Sequence, residues 1–188
     1  MKGPCKLEQL LPAPLKKKAV AVSAAVLLAA GSVLGIGGAK LAAYESSTAA
    51  AFSSGMYSVA ADLDARLNAA ANLVTVAQKV AGLDAGAVEA VEQAIQAVNE
   101  AAGPAAKAAA DEALAGAVNE LYDQAVALAD AGQYDLLAGE LAEFNSRGNT
   151  IRNNDYNTKA RQFNETLSGQ PAKLIAALWG IEEAEYYQ

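Results

Sequence analysis

Residues 16–40 read KKK-AVAVSAAVLLAAGSVLGIGGA-K: three lysines, an uncharged run from Ala19 to Ala39, and a closing lysine. About 20 apolar residues are needed for a helix to cross a bilayer, and this run has that length. Val20, Val22, Val26, Leu27, Leu28, Val33, Leu34 and Ile36 supply its strongly apolar members, and the rest is mainly Ala, Gly and Ser. The run reads as a retained membrane anchor. A cleaved signal peptide is the alternative, with Lys16–Lys18 as its basic region and Gly37 and Ala39 at positions −3 and −1 of a cleavage site. A buried core helix is the third reading, although such a helix rarely lacks charge for so long.

Charge divides at the same place. Through Lys40 the chain carries a net +5, and beyond it −12, within a total of −7. Lys2, Lys6, Lys16, Lys17 and Lys18 precede the run, and Lys40 alone follows it closely. The positive-inside rule therefore puts the N-terminus in the cytoplasm and the acidic body outside the inner (cytoplasmic) membrane. The opposite orientation, with a cytoplasmic bundle, is the alternative. An acidic body is not expected to bind nucleic acid. Gly31 and Gly35 form a GxxxG pair, which can let two membrane helices pack closely; a merely Ala/Gly-rich helix gives the same pattern.

The rest of the chain is punctuated into amphipathic helices. Met56, Val59, Leu63, Leu67, Ala70, Val74 and Ala77 step by three or four, predicting a helix from about Ser46 to Ala81. Asp84 is the expected N-cap of a second, with the stripe Val88, Val91, Ile95 and Val98. Gly103-Pro104 separates it from a third (Leu114, Val118, Leu121, Ala125, Leu128). A long fourth is predicted from about Tyr134 to Leu167, with a bend near Gly148–Asn154 where its stripe changes phase. Pro171 suits the first turn of a short fifth helix that Gly180 closes. The fold class is all-α: an N-terminal transmembrane helix followed by an antiparallel bundle of about four long helices with a short C-terminal helix. The division expected is a basic tail (1–18), a membrane helix (19–43) and a bundle domain (44–188).

Many function classes drop out. The chain has no histidine, which removes histidine bases, Ser-His-Asp triads and histidine metal sites. Cys5 stands alone, so no intramolecular disulfide is available, and no apolar run precedes it to suggest lipidation. The carboxylate pairs Glu89/Glu92 and Glu140/Glu143 read as solvated faces, and Asp62-x-Asp64 lacks the rest of a calcium loop. Asn164-Glu165-Thr166 fits a glycosylation triplet but falls in a predicted helix.

The C-terminal part carries a more specific pattern. It reads Asp155-Tyr156-Asn157, Phe163-Asn164, Pro171, Leu174-Ile175-Ala176, Leu178-Trp179-Gly180 and Tyr186-Tyr187. Arg66 followed by Asn72-Leu73-Val74 forms a second patch. These stretches resemble the LemA family, whose C-terminal signature is a pair of Tyr-Asn motifs, a Phe-Pro, a Leu-Ile-Ala…Phe-Gly-Phe stretch and a final Tyr-Phe. Four departures mark a divergent member. Asn68-Ala69-Ala70-Ala71 replaces an Asp-Leu-Ile-Pro, Phe163 replaces a tyrosine, and Gln170 precedes Pro171. Around Ser146–Gly148 the family's Glu-Asn-Arg is replaced. The resemblance implies a membrane helix followed by a helical bundle, and brings no enzymatic activity with it. The motif-matching candidates are Arg66, Asn72, Asp155, Tyr156, Asn157, Phe163, Asn164, Pro171, Trp179, Gly180, Tyr186 and Tyr187, with Gly31 and Gly35 for packing in the membrane.

Asparagine disfavours helix interiors, so Asn72, Asn157 and Asn164 beside apolar stripes ask for a reason. One is an interhelix hydrogen-bond network; the other is a polar recognition surface. Trp179 with Tyr186 and Tyr187 is expected to clamp the bundle end or to form an aromatic contact patch. The resulting expectation is a non-enzymatic, membrane-anchored scaffold or interaction module without metal or cofactor. Its partners would be the lipid bilayer, proteins the sequence does not name, and a second copy of the chain as a homo-oligomer. A small-molecule-binding sensory bundle and a secreted bundle released by cleavage are the alternatives.

Overall fold

The computed structural model describes residues 18–188, with side chains from Val20 onward. The basic tail, with Lys2, Cys5, Lys6, Lys16 and Lys17, lies outside the described residues. Helix α1, Lys18–Ser53, starts in the lysine cluster and runs unbroken through the apolar run and past Lys40. Its most apolar stretch is long enough to cross a membrane, and none of that stretch is buried within the protein. Alanine dominates its second half, so nothing opposes continued helix until Ser53-Ser54-Gly55.

The predicted helix from Ser46 to Ala81 is in fact two pieces. Gly55 has a φ of 98°, a conformation that ends α1. The Ser58 hydroxyl donates to the Gly55 carbonyl at 2.8 Å and accepts from the Ala61 amide at 3.2 Å. It thereby caps α2, Val59–Ala77. Met56, placed on the apolar stripe by spacing, lies in this turn and is exposed. Asp84 caps α3, Ala85–Glu100, as expected. Gly103-Pro104 opens α4, Gly103–Val126. A reciprocal Asp130–Gln133 capping box starts α5, Ala131–Arg152. The predicted bend in the fourth segment is a full break. The Asn154 side chain accepts from the Tyr156 amide at 2.9 Å and starts α6, Tyr156–Ser168. Helix α7, Ala172–Trp179, has Pro171 at its N-cap and ends at Gly180, whose φ is 66°.

Two compact units result. One holds the N-terminal part through Tyr44 together with Leu167–Glu182; the other holds Glu45–Thr166 and Glu183–Gln188. The second unit is a bundle of α2, α3, α4 and α5, in which α2 packs mainly on α5 and α3 mainly on α4. Asp62, Arg66 and Asn72 meet Arg147, Gly148 and Glu140 in that order, so α2 and α5 run antiparallel. Leu63 and Leu73 (α2), Val91 and Val98 (α3), Leu114, Val118 and Leu121 (α4), and Leu137 and Phe144 (α5) are completely enclosed. The apolar stripes read from spacing meet at one core, except that Leu128, placed on the third stripe, lies past the end of α4 and is exposed.

Candidate functional site

The α2 stripe that buries Val59, Leu63, Leu67, Ala70 and Leu73 also buries a cation. Arg66 sits on this face, 8% exposed, and its Nη1 lies 2.6 Å from Oδ2 of Asp111 on α4, itself 6% exposed. The Tyr187 hydroxyl donates to the same Oδ2 at 3.0 Å. The guanidinium carbon stands 4.1 Å from the centre of the Phe144 ring, a cation–π placement that adds attraction once water is excluded. Gly148 leaves room for this arrangement, because a Cβ there would come within 2.9 Å of the guanidinium. Replacing Gly148 with alanine is therefore expected to cost about 1–2 kcal/mol by overpacking, read as a lower denaturant midpoint.

Burial dominates the electrostatics. It pushes the Asp111 carboxyl above the ordinary aspartate range, against the opposing pull of Arg66 and the Tyr187 hydrogen bond. It lowers the Arg66 pKa and raises that of Tyr187. Because folding raises the Asp111 pKa, the native state still holds a proton that the unfolded chain has released. This group's stabilisation is full below the unfolded aspartate pKa and declines as pH rises to the folded value. Subtracting Asp111→Asn from wild type across denaturation midpoints taken over the acid range should reveal that decline.

Beside the pair lies a cleft of about 400 Å³, lined by Arg66, Asp111, Ile151, Arg152, Asn157 and Tyr187 among others. Arg66 Nε and Asp111 Oδ1 are buried without a hydrogen-bond partner among the described residues.

The C-terminal tail completes the cluster. Asn157 grips Tyr187 with two bonds: its Nδ2 donates to the Tyr187 carbonyl at 2.9 Å, and its Oδ1 accepts from the Tyr187 amide at 2.8 Å. Asn164 repeats this on Ala184, at 2.9 and 2.8 Å. The Tyr156 hydroxyl donates to the Glu185 carbonyl at 2.6 Å. The Glu185 carboxylate lies 3.4 Å from the Ala105 amide in the first turn of α4, where a helix favours negative charge. Phe52 packs at a tilt against Tyr156 and Tyr187, with ring centroids 5.2 and 6.0 Å apart. The α6 asparagines thus act as amide clamps on an extended tail, not as helix-to-helix bridges.

The residues picked from sequence separate into groups. Arg66, Tyr156, Asn157, Asn164, Tyr186 and Tyr187 converge on the tail-and-pair cluster, Tyr186 by a bond from Asn164 at 3.4 Å. Phe163 is buried. Asn72 is exposed and bonds only Glu140, at 3.3 Å, and Asp155 is exposed and pairs with Lys159 at 3.0 Å. Pro171, Trp179 and Gly180 belong to the other unit. Gly31 and Gly35 meet nothing within 4 Å, whereas Gly37 and Gly38 do the packing in that unit. Sequence reasoning missed Asp111 and Gly148. Ala108, Asp111, Leu114 and Val118 share one helical face, so an acid on the α4 stripe was the available sign.

The LemA family model matches residues 55–188, starting at the Gly55 turn and taking in α2 through the tail. This chain belongs to the LemA family. No curated protein and no solved structure matches it. LemA membership and the exposed apolar α1 together fit a membrane-anchored helical protein. Within this LemA chain, the family-like motifs around Asn157, Asn164 and Tyr187 coincide with the groups that fasten the tail to the bundle.

Proposed function

We propose that this LemA protein is a non-enzymatic scaffold, anchored in the cytoplasmic membrane by α1, with its acidic bundle outside. The carrying observation is that α1 leaves its apolar surface exposed and continues unbroken toward the bundle that holds the family motifs. The lysine excess before the span supports the orientation. The buried Arg66 and Asp111 are engaged with one another and with the half-buried Tyr187 of the tail, which supports a structural role for them. The scaffold meets protein partners, among them a second copy of the chain. Chemical crosslinking in native membranes should yield adducts with proteins. Recovery of lipid adducts alone would sink the scaffold role.

One observation favours a second reading, a small molecule held by the bundle. Arg66 and Asp111 both line the cleft, and each keeps one buried polar atom without a partner among the described residues. A saturable rise in melting temperature with a small polar compound, lost in the Asp111→Asn protein, would support it; a screen without any saturable shift would end it.

A further inference from the structure

Helix α7 carries an apolar surface that the described residues leave uncovered. Leu174, Leu178 and Trp179 are 57%, 63% and 47% exposed, while Ile175 and Ala176 are buried. Its buried side packs on α1. A Cβ at Gly37 would approach Ile175 Cδ1 to 2.8 Å, and one at Gly38 would overlap the indole of Trp179. Gly37 and Gly38 stand in the last turn of the uncharged run, just before Ala39 and the exposed Lys40. A span that begins at Ala19 and needs about 20 residues therefore reaches the hydrocarbon boundary at these two glycines. Contact with them fixes the depth of α7 at that boundary.

We infer that α7 is an interfacial helix, inserting Leu174, Leu178 and Trp179 into the leaflet on the bundle side. The inference rests on α1 being a membrane anchor. Eight residues rise only about 12 Å as a helix, too little to cross, so α7 lies at the interface instead. Lipid is the occupant because α7 rests on α1 at Gly37 and Gly38, and the apolar residues Val33 and Ile36 of that same helix are also exposed. Tryptophan favours the headgroup boundary, where its ring is apolar and its N–H wet. Lys173 and Lys40, both exposed, supply cations suited to that level. Two glycines on α1 let the short helix approach closely enough to share its depth. The chain thus holds the membrane at two points far apart in sequence, one at each end of the family domain.

Trp179 is the only tryptophan in the chain, so its emission reports on α7 alone. The full-length protein would be reconstituted into phosphatidylethanolamine/phosphatidylglycerol vesicles, with acyl chains brominated near the headgroup or near the terminal methyl. The expected result is flotation with the vesicles and loss of Trp179 emission, greater with shallow than with deep bromine. Iodide present on both sides should quench it weakly. Leu174→Asp with Leu178→Asp should reduce the bromine quenching while flotation through α1 persists. Flotation with quenching by iodide and none by bromolipid would overturn the inference and leave the anchor standing. Unchanged bromine quenching in the double variant would also overturn it. A wild-type protein that does not float would remove the anchor itself, and this inference with it.

Discussion

Replacing Arg66 with alanine is expected to destabilise the bundle by about 3–5 kcal/mol, because it strands a buried carboxylate. Asp111 is 6% exposed, and its remaining partner after the substitution would be the Tyr187 hydroxyl. The guanidinium also fills the space between Phe144 and Gly148, so truncation opens a hole in the α2–α5 contact. Urea denaturation followed by circular dichroism would measure the loss. Pairing Arg66→Met with Asp111→Leu should recover much of it, since replacing both charges with apolar groups is often close to neutral. A single Arg66→Ala change costing under about 1 kcal/mol would mean that the pair is solvated and the cluster is not a structural lock.

Asn157→Ala and Asn164→Ala should each cost about 1–3 kcal/mol, since each removes two hydrogen bonds from part-buried backbone groups of the tail. The effect is local in origin. Hydrogen exchange at the Tyr187 amide should accelerate in the first variant, and at the Ala184 amide in the second. Asn72→Ala is the natural control. Its side chain is exposed and meets only Glu140, so a change within about 0.5 kcal/mol is expected. Equal losses for all three asparagines would contradict the clamp geometry.

These three asparagines also show how much was legible in the sequence. Helical spacing marked all of them as polar residues near apolar stripes, but spacing carries no information about an extended tail. The tail from Glu183 to Gln188 has no periodicity to read, so its docking on α6 was invisible. The caps at Asp84, by its side chain, and Gly180, by its left-handed backbone, were readable because their chemistry is local. The Gly55 break was not, since one glycine in an alanine-rich helix costs only about 1 kcal/mol and propensity alone does not stop the helix there. Arg66 stood out through family resemblance, whereas its partner lay hidden among the alanines of α4. The close contact of Gly37 and Gly38 with α7 had no sign in the sequence; the GxxxG spacing of Gly31 and Gly35 speaks to a second membrane helix instead.

Helix α1 is proposed to anchor the chain with its bundle outside the cytoplasmic membrane. Membrane fractionation, followed by protease treatment of intact spheroplasts, tests it most directly. The expected result is a full-length, membrane-bound protein whose acidic bundle is digested from outside. A bundle protected until the spheroplasts are lysed would contradict the orientation, and a shortened soluble form lacking the apolar run would contradict the anchor.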